Sequence, residues 1–328
     1  MTSVELRRPA TSLDVAKLAG VSRSTVSNIL NGNHERFPEA TRQRVLDAAA
    51  TLDYRPSPAG RSLVNGRSDT VVVLMPNSTF GTNLQDAVDR VVAGTTPIGG
   101  NVVVRFASGT IDATVDSILA LRPMAVMDFG VLSVDGHERV EKQGTIVVPR
   151  RSRDALQSDG GIAQMQAEEL LRKAPRSLWF AALSDKRLDF YGPLRFAALT
   201  AFCAQRGLEQ PRSVSVSLDL ASGTDAVNTM MASGEPIGVV SYNDDVALTI
   251  LAACQRRGVD VPDELSVVGV DNIPLARLWT PPLATIDTNL GALADSLVEA
   301  LGQRLSQPRM QPATAGKHAF EFVPGGTV

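Results

Sequence analysis

The chain has 328 residues, of which 44% are hydrophobic, and it carries a formal net charge of −3. This length predicts two or three domains, and the apolar content suffices for a sizeable core, which excludes disorder along most of the chain. Membrane proteins and secreted disulfide scaffolds are excluded too, because no apolar run approaches about 18 residues, the first residues lack the apolar segment of a signal peptide, and cysteines are few.

The cysteines and the distribution of charge indicate the setting in which the protein works. Cys203 and Cys254 lie in helix-like segments far apart in the sequence, which fits a reduced, cytoplasmic protein and no cysteine-rich zinc module. Residues 1–67 contain ten Lys or Arg and six Asp or Glu, a net charge of +4, whereas the remaining residues contain 22 and 29, a net charge of −7. This asymmetry favours contact between the basic segment and a polyanion.

The amino-terminal segment is predicted to form three short helices. Thr11 begins a capping-box pattern before a helix over residues 12–19, and Gly20 supplies the backbone freedom for a tight turn after it. Ser22 is predicted to cap a second helix, and Pro38 lies in the first turn of a third. The apolar positions at helical spacing are Val26, Ile29 and Leu30 in the second helix and Val45, Ala49 and Leu52 in the third. This is a helix-turn-helix arrangement, and a three-helix protein-binding module is the alternative.

The next segment has the composition of a flexible linker. Residues 54–69, YRPSPAGRSLVNGRSD, include three Arg, two Pro and two Gly. Residues 57–64 could form two turns of helix if another molecule ordered them, and Leu63 would then lie on one side.

From about Asp69 onward, short apolar runs alternate with helix-patterned segments. Val-rich runs of this kind predict parallel strands that are buried on both faces and joined by right-handed crossovers. The eight runs are residues 70–76, 101–106, 124–129, 144–149, 177–183, 213–218, 236–241 and 265–271. They could form one barrel or two open sheets. A crossing linker over 281–289, a helix over 290–305 and a last strand over 319–323 favour two interleaved lobes.

Four segments resemble the lactose- and galactose-repressor family. TSLDVAKLAGVSRSTVSNILNG (11–32) and PEATRQRVLDAAATLDYRPSPAGRSL (38–63) are similar to the DNA-binding head of that family. The likeness returns at SYNDDVAL (241–248) and at GVDVPDELSVVGVDNIPLARLWTPPLATI (258–286), while the stretch between the two regions matches only in outline.

The resemblance implies the domain organisation. A small all-α helix-turn-helix head, residues 1–55, is joined by a hinge segment, residues 56–68, to an α/β core, residues 69–328. This core is expected to consist of two doubly wound parallel-sheet lobes, as in periplasmic binding proteins, with three crossovers between the lobes and a ligand cleft between them.

The resemblance also implies which residues of the second helix contact DNA. Arg23, Ser24 and Asn28 occupy the positions that the family uses to recognise bases in the major groove, where Arg suits guanine and Asn suits adenine. Thr25 and Asn31 are assigned to phosphate contacts, which position the head without specifying sequence. A merely solvated helix surface is the alternative for any one of these side chains.

Two further DNA contacts are expected outside the second helix. Thr11 and Ser12, at the start of the first helix, add backbone N–H donors for a phosphate. The family's hinge becomes helical only on DNA, where paired leucines enter a central minor-groove step, and Leu63 is the matching residue. Gly60 replaces the alanine common there, which lowers helix propensity by about 0.5–1 kcal/mol and makes hinge folding more dependent on DNA. A linker without a DNA role is the alternative for Leu63.

The cleft residues match the family only in part. Asn243 and Asp271 match positions that hydrogen-bond an effector, although a helix cap and a turn residue are their alternative roles. The family's effector-binding arginine falls on Asp189, and Arg187 is a stand-in two residues earlier. The acidic position after the fourth strand falls near Pro149, and the aromatic wall of the cleft corresponds to Leu220. These departures indicate a changed or weakened effector.

The function implied is a cytoplasmic homodimeric transcriptional regulator, in the first instance a repressor. It is expected to bind a pseudo-palindromic operator in double-stranded DNA, to respond to a small-molecule effector as inducer or corepressor, and to need no cofactor or metal. An enzyme is disfavoured because Walker A, HExxH and G-x-S-x-G patterns are lacking and the three histidines form no evident cluster. Two competing hypotheses are an exported solute-binding protein and a regulator that has lost effector control.

Overall fold

A computed structural model describes residues 8, 10–30, 34–55, 68–78, 81–107, 109–149, 158–174, 176–306 and 320–328, with the backbone alone at 158–160. The chain divides into two compact units between Asp69 and Thr70. The first unit is referred to below as the head and the second as the core.

The head contains three α-helices around a small apolar centre. The helices are α1 (Ser12–Ala19), α2 (Arg23–Leu30) and α3 (Glu39–Thr51), with a 3-10 turn at His34–Arg36. Gly20 adopts the left-handed conformation at φ 65° and ends α1, as predicted, and Pro38 immediately precedes α3. The buried side chains are Val15, Ala16, Ala19, Val26, Ile29, Val45, Ala48 and Ala49. The predicted helical spacing is therefore confirmed.

The core begins with a four-stranded parallel sheet in the order β2-β1-β3-β4. This amino-terminal lobe contains β1 (Thr70–Met75), α4 (Thr82–Thr95), β2 (Asn101–Phe106), α5 (Ile111–Leu121), β3 (Ala125–Asp128), α6 (Val134–Glu141) and β4 (Ile146–Val148). Alternate residues of β1 enter two separate apolar clusters: Val71, Val73 and Met75 lie on one face, and Val72 and Leu74 on the other. Both faces are buried, which explains why the strand is continuously apolar.

The carboxyl lobe contains a six-stranded sheet in the order β10-β9-β8-β7-β5-β6, in which only β10 is antiparallel. Its first elements are α7 (Ser158–Leu171), β5 (Ser177–Leu183), α8 (Gly192–Arg206), β6 (Arg212–Val216), α9 (Leu220–Met231) and β7 (Ile237–Ser241). The remaining elements are α10 (Asp244–Arg257), β8 (Leu265–Val270), α11 (Pro274–Leu278), β9 (Ala284–Asp287) and β10 (Glu321–Val323).

One late helix returns to the amino-terminal lobe. Helix α12 (Leu290–Ser306) follows β9 but buries Ala294, Leu297 and Leu301 against the amino-terminal sheet. The chain therefore crosses between the lobes before α7, after β9 and before β10. The predicted fold of two interleaved α/β lobes is confirmed, and a single barrel is wrong.

The segment 281–289 differs from the prediction. It was expected to be only a crossing linker, but residues 284–287 form β9 and pair with β8 and β10. The error has a physical reason: ATID alone is too short to be recognised as a strand, and its pairing partners lie elsewhere in the sequence. Thr327 secures this region, since its hydroxyl donates to the Val267 carbonyl and accepts from the Ala284 amide.

Strand order also determines where polar side chains gather. In each sheet the chain moves first to one side and then to the other, so the topology switches between β1 and β3 and between β5 and β7. Ligand sites in such sheets lie beyond the carboxyl ends of the strands at these switch points. None of the described helices is long and apolar enough to cross a membrane.

Candidate nucleic-acid interface and inter-lobe cleft

Helix α2 presents a polar surface on a buried apolar base. Val26 and Ile29 are buried against the other head helices, whereas Arg23 and Ser24 are exposed. Thr25 and Asn28 are half-buried. The four predicted DNA-contacting side chains that are described thus belong to one rigid helix, which the packing of Val26 holds in place.

Side chains order the beginning of α2. Ser22 caps the helix by accepting from the Thr25 amide at 3.1 Å, as predicted. Its hydroxyl also lies 2.8 Å from the hydroxyls of Ser24 and Thr25. The hydroxyls of Ser24 and Thr25, both predicted to contact DNA, are therefore linked through the hydroxyl of Ser22.

The beginning of α1 is ordered by the predicted capping box. The amide and the hydroxyl of Thr11 donate to the Asp14 carboxylate at 2.9 and 2.6 Å, and they lower the pKa of that carboxyl. The Thr11 amide, expected to be a phosphate donor, is therefore engaged within the head. Ser12 follows as the first residue of α1, and its Oγ accepts from Nε of Arg23 at 3.0 Å.

Two predicted DNA contacts lie outside the described residues. These are Asn31, which follows α2, and Leu63 of the hinge segment. Their assignments remain predictions from the sequence.

In the core, Asn243 and Tyr242 follow β7 at a topological switch point. The Asn243 Oδ1 accepts from the Val246 amide at 3.1 Å and caps α10, which was its alternative role. Tyr242 is 1% exposed, and burial raises the pKa of its phenol. Its carbonyl accepts from Arg195 at 2.7 Å, and the Arg195 guanidinium lies 5.6 Å from its ring centroid. The sequence prediction did not include Tyr242.

The other predicted effector residues have partners within the chain. The Arg187 side chain is 84% exposed, and its guanidinium pairs with Asp185 and lowers the pKa of that carboxyl to about 2. Asp189 is buried, and Lys186 donates to its Oδ2 at 2.8 Å. Asp271 has a φ of 104°, as a turn residue would, and follows β8. Pro149 follows β4, and Leu220 begins α9.

Hydrogen bonds of the chain itself join the two lobes. Asn77, just beyond β1, donates to the Arg187 carbonyl at 2.7 Å, and Asn83 in α4 donates to the Asp271 carbonyl. The Tyr242 hydroxyl donates to the Leu188 carbonyl at 2.9 Å and lies 3.4 Å from the Ser78 hydroxyl of the other lobe. The lobes are thus in contact at the place where a two-lobed protein would hold a ligand.

Replacement of Tyr242 with Phe is expected to loosen this contact. The variant keeps the ring but loses the hydroxyl, which should destabilise the carboxyl lobe by about 0.5–1.5 kcal/mol. Amide exchange measured by mass spectrometry should become faster in residues 185–191 and 77–78. Ser78→Ala removes only the inter-lobe partner and should affect residues 77–78 alone. Unchanged exchange in both segments with Tyr242→Phe would contradict a linking role.

Asp244 at the start of α10 is hydrogen-bonded to the segment after β8 and to β9, and the sequence prediction did not include it. It is 0% exposed, and its carboxylate accepts from the Ile273 amide at 2.8 Å and from the Thr285 hydroxyl at 2.6 Å. Burial raises the pKa of Asp244 to about 8, which outweighs these two donors. The sequence offered only two consecutive aspartates, in SYNDD, and this pair does not show whether Asp244 or Asp245 is buried.

One histidine belongs to a buried pair. His137 Nε2 lies 2.9 Å from Asp128 Oδ2, and the Asp128 carboxylate also accepts from the amides of Val131 and Leu132. The sequence showed no histidine cluster because the partner is an aspartate nine positions away on another element. Among the described residues, no group of three or more His, Cys, Asp or Glu could hold a metal ion.

Two family models match the chain. Residues 11–57 match the bacterial regulatory proteins of the lacI family, and residues 167–328 match a periplasmic binding protein-like domain. The HTH-type transcriptional repressor PurR of Vibrio campbellii is 28% identical over 339 residues, and the alignment covers 96% of each protein. The ribose operon repressor of Escherichia coli K12 is 29% identical over 318 residues, with 92% of this chain and 95% of that repressor covered.

Solved structures have the same architecture. A LacI-family transcriptional regulator from Silicibacter pomeroyi matches with a TM-score of 0.80 and 22% identity, covering 97% of this chain and 99% of that one. The lac repressor dimer bound to operator and an anti-inducer matches with a TM-score of 0.71 and 20% identity, covering 98% and 99%.

A helix-turn-helix head followed by a two-lobed α/β core defines a DNA-binding regulator with a domain of the ligand-binding type. The chain thus combines a helix-turn-helix domain of the lacI family with a periplasmic binding protein-like domain, as in the repressors to which it is similar. The family model confirms the resemblance of the head over residues 11–57.

Proposed function

We propose that the protein is a sequence-specific transcriptional repressor that binds a pseudo-palindromic operator as a homodimer. The observation that supports this most directly is helix α2, whose exposed Arg23 and Ser24 are held in place by a buried apolar face. An exposed polar helix after a capped helix and a glycine turn is suited to the major groove. Arg23, Ser24 and Asn28 would contact bases, and Thr25 and Asn31 would contact phosphates.

Dimerisation follows from the need to place two heads on one site. A two-fold partner positions two recognition helices one turn of DNA apart, so a symmetric protein favours a symmetric operator. The hinge segment, residues 56–68, would fold on the operator and insert Leu63 into the central minor groove. Such a repressor acts on chromosomal DNA, so the proposal includes a cytoplasmic location. It also includes that the protein is not an enzyme.

The core would control DNA affinity. A small molecule that favours one arrangement of the two lobes would change the separation of the two hinges and shift the population of DNA-competent dimers. Asn243, Asp271, Arg187 and Asp189 are the candidate effector contacts. The relatives include the repressor PurR and a ribose operon repressor, but the departures at Asp189, Pro149 and Leu220 support a different effector chemistry.

A regulator of the same family without effector control is the second candidate. The specific observation in its favour is the direct inter-lobe bonding of Asn77 and Tyr242, which holds the lobes together through the chain's own groups. A metabolite that changes the affinity of the purified protein for its operator would exclude this candidate.

Replacement of Leu63 with Ala is expected to weaken specific DNA binding far more than non-specific binding. The wedge acts only where the duplex is kinked at a central step, so its loss should leave salt-dependent binding to random DNA unchanged. Titration of both duplexes by fluorescence anisotropy measures the two affinities. Equal losses on both would show that Leu63 has no wedge role.

Selection of genomic fragments by the purified protein tests the whole proposal. At near-physiological salt we expect a two-fold symmetric site with a constant central step, and the adjacent genes would narrow the choice of effector. Diffuse binding that depends steeply on salt and yields no common site, with or without added metabolites, would contradict specific repression.

A further inference from the structure

We propose that Ser12 is a positioning residue that holds the Arg23 guanidinium for base recognition. The inference rests on the proposed function, in which α2 enters the major groove, and adds a residue of α1 that determines how α2 recognises sequence. It starts from one contact: the Nε–H of Arg23 donates to Oγ of Ser12 at 3.0 Å, although the two residues belong to different helices.

The contact selects one face of the guanidinium. Arginine can present two parallel N–H groups to guanine O6 and N7, either from its two terminal nitrogens or from Nε and one terminal nitrogen. Ser12 occupies Nε and therefore leaves the terminal pair for the base. Within the described part of the head, no hydrogen bond engages either terminal nitrogen of Arg23.

Ser12 is itself held firmly. It is the first residue of α1 and lies inside the capping box that Thr11 and Asp14 form, and the next turn buries Val15 and Ala16 in the apolar centre of the head. Val26 of α2 is buried in the same centre, so the two helices maintain a constant distance between Ser12 and Arg23. A long side chain that is held before binding loses less conformational entropy when it meets its base.

The same hydroxyl can link two kinds of DNA contact. Oγ of Ser12 accepts from Arg23 through a lone pair, so its own hydrogen remains available to a phosphate oxygen. A phosphate bound there would set the register of the head on the duplex, and Arg23 would be aimed from that point. Ser12 thereby acts on sequence recognition through Arg23 and not by touching a base.

The alternative is that Ser12 contacts a phosphate and has no effect on Arg23. The two roles differ in a double-mutant cycle, because a phosphate contact lowers affinity for every sequence by the same factor, whereas a positioning residue acts at the base pair that Arg23 recognises. The probe is the two-fold symmetric duplex that the purified full-length protein selects from a random library, together with its symmetric single-base-pair substitutions.

With Ser12→Ala we expect discrimination at the Arg23-dependent base pair to fall about 3- to 10-fold, as for the net loss of one ordinary hydrogen bond. Ser12→Thr keeps an acceptor oxygen and should retain most of the discrimination at this base pair. Ser12→Ala combined with Arg23→Ala should discriminate no less at that pair than Arg23→Ala alone. Equal circular dichroism spectra and melting of the single variants control for folding.

Two results would overturn the inference. In the first, Ser12→Ala lowers affinity for all duplexes by the same factor, and this loss adds to that of Arg23→Ala. Ser12 would then be a phosphate contact only. If Arg23→Ala relaxes no base position, or no symmetric duplex is selected, recognition by Arg23 in the proposed function fails, and the role of Ser12 fails with it. The first result concerns Ser12 alone, so the two failures are distinguishable.

Discussion

Replacement of Arg23 with Ala is expected to weaken binding to the specific operator by about 1–3 kcal/mol and to relax specificity at one base pair in each half-site. The side chain is exposed at the beginning of α2, and the bond to Ser12 leaves its terminal nitrogens for the base. Its removal therefore deletes a base contact without disturbing the apolar centre of the head. Binding to the selected duplex and its substituted forms gives the measurement.

Arg44→Ala is a matched control for this variant. Arg44 is exposed on α3 and carries the same charge, but none of the predicted base contacts involves it. Loss of charge alone should lower affinity for all duplexes to a similar extent and flatten the salt dependence. If Arg23→Ala and Arg44→Ala gave the same losses on specific and random DNA, Arg23 would not be a base contact.

Replacement of Asp244 with Ala is expected to destabilise the carboxyl lobe by about 2–4 kcal/mol, because the Ile273 amide and the Thr285 hydroxyl would lose their acceptor in a buried site. Both tryptophans, Trp179 and Trp279, belong to this lobe, so urea unfolding followed by their fluorescence reports on it. Asp245→Ala is the control, since its side chain is only half-buried in the same turn. Similar losses for the two variants would contradict the joining role of Asp244.

Asp244 should also make the stability of this lobe depend on pH. Its pKa is raised from 3.8 to about 8 in the folded state, chiefly by burial and further by the charges of Asp271 and Asp245. The native state therefore keeps a proton that the unfolded state releases between pH 4 and 8, so stability should fall as pH rises through this window. The slope reaches at most about 1.4 kcal/mol per pH unit, and Asp244→Asn should remove this contribution. An unchanged pH profile in Asp244→Asn would show that Asp244 does not titrate in this range.

Local patterns predicted the head and most of the core. The capping box of Thr11 and Asp14, the turn at Gly20 and the buried positions of α2 depend on residues within one or two helical turns, so spacing alone identifies them. The Val-rich strands were predicted because burial on both faces requires a continuous apolar run. β9 was missed because four residues hold little periodicity, and its place was decided by pairing with β8 and β10.

The site was predicted less completely than the fold. The resemblance identified the exposed polar residues of α2, since DNA contacts belong to a short continuous segment. It could not identify the linking roles of Tyr242 and Asp244, because their partners Leu188, Ser78 and Thr285 lie 41 to 164 positions away. In the sequence, Tyr242 looks like any residue at the end of a strand, and Asp244 looks like any residue at the start of a helix. Nothing nearby indicates that either is buried and hydrogen-bonded to a distant segment.

The sequence by itself determined the class of the protein, the three helices of its head and the alternation of strands and helices in its core, because each depends on neighbours along the chain. Only the tertiary structure decided that Ser12 contacts Arg23, that Asn77 and Tyr242 join the lobes, and that Lys186 pairs with Asp189. Such contacts require an exact distance between side chains, and that distance is set by helix packing and by the crossovers between the sheets.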